Sequence, residues 1–401
     1  MQKYIDTYKN LYNWVKKSDF KGFDPYDIKS LPWIVFLTKK GNKHYLVNVF
    51  KEFLFELFYS FPYIFRFVFR VKKNHNPKAF GLIAQSNLQF YQFSNDEFYL
   101  QESIKCIQWL DSKKIIIGEG VGWGYPFDWQ STELIPKYTP NGIVTTVAGD
   151  AYWSMYKQIG DKAYLNTCIA ISNFLITLPF DRLDDKRLCF AYTPVFQNHV
   201  HNLNLFIAEF IIKVGIEIDN PEYVHMGNCA LNYSLSNQRE DGSFDYNGPP
   251  EKPNNFVDNY HTGFVLRMLH SIWKITGRKD VYQALSRCYA HYTSNFFEDN
   301  QIPKLMPNKK YRIDIHSCAE SINCLSELSV TFPEGLQLAE RILDWTIDNL
   351  YDKKGYFYYG ILKSRFTGLP FKSKIAYLRW GQAWMLKALS SFLLTKRIIN
   401  Q

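Results

Sequence analysis

At 401 residues, with 46% hydrophobic and 17% aromatic side chains, the chain has ample apolar mass for a large core, which excludes intrinsic disorder. The formal net charge is +9, yet only 21% of residues are charged and no stretch has the density of a nucleic-acid arm. Nucleic acid is therefore not expected as a partner; a solvated basic exterior accounts for the charge, and an acidic glycan or an anionic membrane surface is the most it suggests. Seven cysteines, an odd number with no CxxC pair, fit a reducing compartment without structural zinc.

The N-terminal stretch is charged throughout and lacks a signal-peptide core, so the expected location is cytoplasmic. Tyr4–Lys17 is an amphipathic helix followed by GFDPYD, and it reads like Leu338–Leu350 followed by GYFYYG. Val47–Val71 is strongly apolar, but its longest uncharged run, Leu57–Phe65, falls far short of the roughly 20 residues that span a bilayer. It is expected as an apolar helical insertion, a helix pair bent at Pro62 and packed on the rest of the fold. Peripheral contact with the inner membrane is the alternative.

Beyond it the sequence repeats. FYQFSNDEFYLQESIKCIQWL from Phe90, MYKQIGDKAYLNTCIAISNFL from Met155 and IWKITGRKDVYQALSRCYAHY from Ile272 each end one apolar helix, turn, and start another with a Tyr near its head. Inner helices are predicted at about Ala79–Gln92, Gly142–Gln158, Val200–Lys213, Asn259–Ile275, Ile315–Ser329 and Leu378–Leu394, with outer partners starting at Glu97, Lys162, Pro221, Asp280 and Pro333. The missing sixth outer helix is Tyr4–Lys17. Six hairpins closed by the N-terminal helix make an all-α (α/α)6 toroid, read as a single domain over residues 1–401. The outer-to-inner crossings, Asp111–Asn141, Pro179–His199, Asn237–Asp258, Phe297–Asp314 and Tyr351–Tyr377, are the long loops. They share one rim, so function belongs at the heads of the inner helices.

The candidate site residues follow that rule. GEGVGWGYPFDWQS, Gly118–Ser131, lacks the third glycine of a dinucleotide fingerprint. It is read as presenting Trp123, Tyr125 and Trp129 as sugar-stacking platforms beside Asp128, which could equally cap its own loop. His199, His201 and Asn202 end the second crossing. Asp258, Asn259, Tyr260 and His261 open the fourth inner helix, where a phenol and an imidazole could take and return a proton; Asp258 could equally be an N-cap. Asp314, His316 and Glu320 head the fifth, and Arg379, Trp380 and Gln382 the sixth, with Arg379 suited to a carboxylate or phosphate. No spacing supports a metal site, and no cofactor is expected.

QREDGSF at Gln238–Phe244 is similar to the glutamine-and-aromatic repeat of terpene cyclases, a tie between hairpins that speaks for the fold only; the DxDD acid of such cyclases is missing. GFDPYD at Gly22–Asp27, NPKA at Asn76–Ala79, GWGYPFDWQ at Gly122–Gln130, DNYHTGF at Asp258–Phe264, DIHSCAE at Asp314–Glu320 and RWGQAWM at Arg379–Met385 together resemble the VpsJ-like polysaccharide-biosynthesis proteins. The resemblance runs along nearly the whole chain and implies a role in surface polysaccharide production. It carries no catalytic assignment residue by residue, and the toroid it implies also serves glycoside hydrolases, polysaccharide lyases and C5-epimerases.

Three readings stay open for a polysaccharide or oligosaccharide ligand. In uronate epimerase or lyase chemistry, Tyr260 or His261 transfers the proton, His201 relays it and Arg379 holds the carboxylate. A glycoside hydrolase would use Asp128 and Asp258, with Asp314 or Glu320 in reserve. The third is a non-catalytic glycan-binding or assembly subunit.

Overall fold

The computed structural model describes residues 1–252, 256–365 and 367–401, so small parts of the third and fifth long crossings, 253–255 and 366, lie outside the described residues. Helix α1 (Gln2–Lys17) is followed by α2 (Pro32–Gly41), α3 (Tyr45–Ser60) and α4 (Pro62–Val68). Five inner–outer hairpins come next: α5 (Pro77–Ser94) with α6 (Glu97–Asp111), α7 (Gly142–Ile159) with α8 (Lys162–Ile176), α9 (His201–Glu217) with α10 (Pro221–Leu235), α11 (Asn259–Thr276) with α12 (Lys279–Asn295), and α13 (Ile315–Leu328) with α14 (Glu334–Leu350). A wide π-helical turn, Leu378–Gln382, leads into the last inner helix, α15 (Ala383–Ile399).

Local chemistry places the boundaries. Asn76, Asn141, Asp258 and Asp314 cap α5, α7, α11 and α13 by accepting backbone N–H groups of the first turn. The short inner-to-outer turns pass through left-handed residues, Asn95, Gly160 and Gly277, directly before the next helix. Inner helices are buried nearly all round: α9 is buried without a break from His201 to Gly215. Outer helices bury one stripe, as α1 does with Tyr4, Tyr8, Leu11, Tyr12 and Val15.

The ring closes as the repeats predict. Tyr4 meets Phe392 of α15 edge-on at 5.2 Å, and Tyr8 stacks on Phe90 of α5 at 4.0 Å with its hydroxyl donating to Asn87. Lys3 bridges to Asp344 and Asp348 of α14, so α1 stands between the first and last hairpins. One continuous core runs from Tyr4 to Leu393. The glutamine of QREDGSF acts as the expected tie: Gln238 donates to the carbonyls of Gly242 and, in α12, Ala284. Small antiparallel pairs decorate the long crossings, among them Phe180–Asp184 with Arg187–Phe190 and Gly360–Lys363 with Pro370–Ser373.

Val47–Val71 departs from expectation. It does bend at Pro62 into α3 and α4, and Phe58 packs with Ile28 and Ile34 in a small core of its own. It is not covered by the toroid, however. Phe53 and Phe61 are about half exposed and Phe67 is 85% exposed, because three short helices around so small a core have more apolar faces than neighbours to bury them.

Candidate active site

A cavity of about 400 Å³ opens where the six inner helices begin. Each contributes to its wall: Lys78 from α5, Ile143 from α7, Asn202 from α9, His261 from α11, His316 from α13 and Arg379 from the π-turn. The long crossings add an aromatic lining, with Tyr125, Phe127 and Trp129 from the first, Tyr192 from the second and Tyr246 from the third. Tyr26, between α1 and α2, completes it.

The DNYHTGF segment builds the most reactive arrangement. Asp258 is buried, and its two oxygens accept from the backbone N–H of His261 at 2.9 Å and from the same residue's Nδ1 at 2.7 Å. A carboxylate there fixes the tautomer, so Nδ1 carries the proton and Nε2 is the nitrogen open to the cavity. Tyr260 lies next to His261 at 4.3 Å between ring centroids and 4.7 Å from His316 on its other side. Burial holds its phenol well above the usual tyrosine range, so it remains a donor.

His316 Nδ1 lies 3.0 Å from the carbonyl oxygen of Trp380, which can only accept. The proton therefore sits on Nδ1, and Nε2 keeps a lone pair that is buried without a partner. Burial, reinforced by the nearby Lys78 and Arg379, pushes this imidazole well below its ordinary range and keeps it neutral. Two imidazoles thus flank one phenol. Gly263, a turn into α11, permits the fit behind them: a Cβ there would sit 2.7 Å from Cγ of Glu320.

Two cations face this cluster in different states. Arg379 donates twice to Asp24 of GFDPYD, at 2.6 and 2.8 Å, while its guanidinium lies 4.9 Å over the Tyr125 ring. Asp27 of the same motif holds Arg66, so the motif is a double clamp on two buried arginines. Lys78 is 5% exposed, and among the described residues its ammonium has no hydrogen bond and no carboxylate within 4.0 Å; it lies 5.3 Å from the Trp384 ring. Burial, with Arg379 adding to it, lowers its pKa to about 7. Asn202 Oδ1 and Gln197 Oε1, both at the wall, are also buried and unpartnered.

Of the residues singled out in the sequence, Tyr125, Trp129, Tyr260, His261, His316, Arg379 and Trp380 meet at this cavity, with Asp258 directly behind His261. Others do not reach it. Trp123 is fully buried and donates from its indole to the Leu110 carbonyl, a core tie. Asp128 accepts the Lys137 backbone N–H and caps its own loop. His201 points into the α9–α10 packing, 3.3 Å from the Ser234 hydroxyl, and burial lowers it to about 4. Asn259 accepts from Tyr292 and Ser321 on the outer side. Glu320 is held by Arg267 at 2.6 Å, and Asp314 caps α13. Gln382 pairs with both backbone groups of Phe357, pinning the last crossing. Trp123 and Asp128 belong to the first long loop and the others to helix heads; each spends its polar atoms on a partner away from the cavity.

Lys78, Tyr26 and Tyr246 also line the cavity, and none of them is among the candidates that the sequence singles out. Lys78 was findable, since NPKA heads an inner helix as the other polar clusters do. Among the described residues Glu251 is the one acidic side chain of the wall, and it lies 2.8 Å from His199.

No family model matches the chain, and no curated protein matches it. Solved structures do. A cellobiose 2-epimerase from Bacillus thermoamylovorans superposes with a TM-score of 0.62 at 12% identity, covering 82% of this chain and 90% of that one. A GH76 α-mannanase from Bacteroides thetaiotaomicron gives 0.63 at 12% identity over 83% and 89%. An unsaturated glucuronyl hydrolase specific for heparin gives 0.58 at 15% identity over 82% and 89%. At such identities the likeness is one of fold, and the fold is the all-α (α/α)6 toroid.

Proposed function

We propose that the chain is a carbohydrate-processing enzyme that moves a proton on a sugar carrying an acidic group, in epimerase- or lyase-type chemistry on a uronate. The observation that carries this reading is the Asp258–His261 pair opening on an aromatic cavity, flanked by Tyr260 and His316. With Nδ1 engaged, His261 Nε2 takes the proton from the carbon beside the substrate carboxylate. The electron pair moves into that carboxylate as an enolate, and the cationic Lys78 is the group free to hold it. Return of a proton from the Tyr260 phenol gives the epimer. Departure of the substituent one carbon further on gives an unsaturated product.

In this reading His316, with its free Nε2 lone pair, is the second imidazole of the site in place of His201, and Lys78 takes the anion-binding role expected of Arg379, whose charge Asp24 already neutralises. A hydrolase would need two carboxylates across the cavity. Asp128, Asp258, Asp314 and Glu320 are all engaged outside it or behind its wall. The resemblance to VpsJ-like proteins supports a substrate from surface-polysaccharide biosynthesis, and seven free, buried cysteines fit a location inside the cell.

The test is incubation with uronate and neutral oligosaccharides in heavy water. Deuterium beside the carboxylate, or an unsaturated product, is expected from uronates alone. New reducing ends without deuterium uptake, or full activity in His261→Ala, would sink the reading. Binding without any turnover would leave a glycan-binding subunit in its place.

A further inference from the structure

We propose that α2–α4 form a docking face for an anionic lipid bilayer, independently of the chemistry in the cavity. A surface helix ordinarily turns a polar stripe to water. Here the outward stripe is itself apolar. On α3 it consists of Tyr45, Leu46, Val49 and Phe50, at spacings that put them side by side, with Tyr45 80% exposed. On α4 it is Tyr63, Ile64, Phe67 and Val68 at the same spacing, and α2 adds Trp33 and Phe36. Apolar surface of this density on three neighbouring helices marks an interaction face.

Charge identifies the occupant. Six basic residues border the stripes and are exposed: Lys39, Lys40 and Lys43 at the α2–α3 turn, and Arg70, Lys72 and Lys73 after α4. Among residues 29–73 the one exposed acid is Glu52, which Lys51 already pairs at 3.0 Å; Glu56 is partly covered and pairs with Arg365. Aromatic and aliphatic side chains ringed by cations that, among the described residues, form no salt bridge suit the acyl–headgroup boundary of a negatively charged membrane, where the rings enter and the cations meet phosphates. No helix of the described residues is long and apolar enough to cross a membrane, so the helices would lie in the surface plane.

The face is firmly attached and close to the cavity. Arg66 of α4 is clamped by Asp27, Lys29 donates to Tyr59 of α3 at 3.0 Å, and Asn42 donates to the carbonyl of cavity-lining Ser131 at 3.3 Å. Docking would therefore hold the cavity beside the bilayer, within reach of glycans carried on membrane lipids.

Vesicle flotation of the full chain tests this. Vesicles of phosphatidylcholine with about 30% phosphatidylglycerol should carry the protein, while phosphatidylcholine alone or high salt should weaken binding at least tenfold. Phe50→Ser combined with Phe67→Ser, both in exposed positions and so safe for folding, should also weaken binding at least tenfold. The charge reversals Lys39→Glu, Lys40→Glu, Lys72→Glu and Lys73→Glu together should abolish salt-sensitive binding. Failure of the wild type to float on anionic vesicles would overturn the proposal. So would a dimer, seen by light scattering, that the two Phe variants dissolve, since a second copy would then cover the face.

Discussion

Lys78 and Lys213 are both buried lysines on inner helices, one at each end of the toroid, and their surroundings could hardly differ more. Lys213, on α9 at the end away from the cavity, reaches Asp150 at 2.6 Å and Glu209 at 2.9 Å, and Glu209 also accepts from Ser271. Those carboxylates outweigh desolvation and raise its pKa above the ordinary lysine range. Lys78, at the cavity end, has aromatic rings for neighbours and, among the described residues, no anion in contact, and its pKa falls to about 7. A buried charge that only supports a fold is paired, because an unpaired one costs several kcal/mol. A buried charge left unpaired beside a cavity is a place reserved for something that arrives from outside.

The comparison can be broken at several points. The largest expected effect is at the cavity: His261→Ala should lower turnover of the uronate substrate by about 10²–10⁴-fold with an unchanged circular dichroism spectrum. At the other end, Lys213→Met should leave Asp150 and Glu209 uncompensated and cost about 3–5 kcal/mol in urea unfolding, whereas Lys78→Met removes an unpaired buried charge and should leave stability at neutral pH unchanged or higher. Equal losses at the two lysines would end the argument. Gly263→Ala drives a methyl group toward Glu320 and should cost about 1–3 kcal/mol, read by the same unfolding.

The smallest effect is the most diagnostic. Lys78 must be protonated to hold an anion, so kcat/KM for the uronate should fall as pH rises above about 7, and Lys78→Arg should move that fall upward. Arg379 and Arg267 oppose the charge on Lys78, and Glu320 and Asp24 favour it, so these groups set the position of the limb. The stability effect has the opposite sign. The folded pKa lies below the unfolded value of 10.5, so the unfolded chain binds the extra proton between these values. Stability therefore rises with pH across that window, and the rise should be smaller in Lys78→Met.

Much of this architecture was legible in the residues. The Asn95, Gly160 and Gly277 turns, each followed directly by an outer helix, repeat visibly, and Tyr4, Tyr8 and Tyr12 at helical spacing announce an outer helix at the N-terminus. The heads of the inner helices were recognisable as the rim that meets the long crossings, and Tyr260, His261, His316 and Arg379, named there, line the cavity. What could not be read was where each side chain points. Trp123 and Gln382 sit at the right rim yet spend their polar atoms on the Leu110 carbonyl and on Phe357. The Asp24–Arg379 pair joins positions 355 residues apart, and no local pattern foretells it.

The sequence by itself determined the hairpin count, the order of inner and outer helices and the rim that the long crossings share, because these follow from hydrophobic period and capping residues within one or two turns of chain. Only the tertiary structure decided which charges are spent and which are free. Pairing of a buried ion depends on neighbours from distant helices: Asp24 neutralises Arg379, Arg267 takes Glu320, and among the described residues no carboxylate lies within 4.0 Å of the Lys78 ammonium. It also decided that α2–α4 stay uncovered, since burial of an apolar stripe requires a partner surface, and the toroid closes on α1 instead.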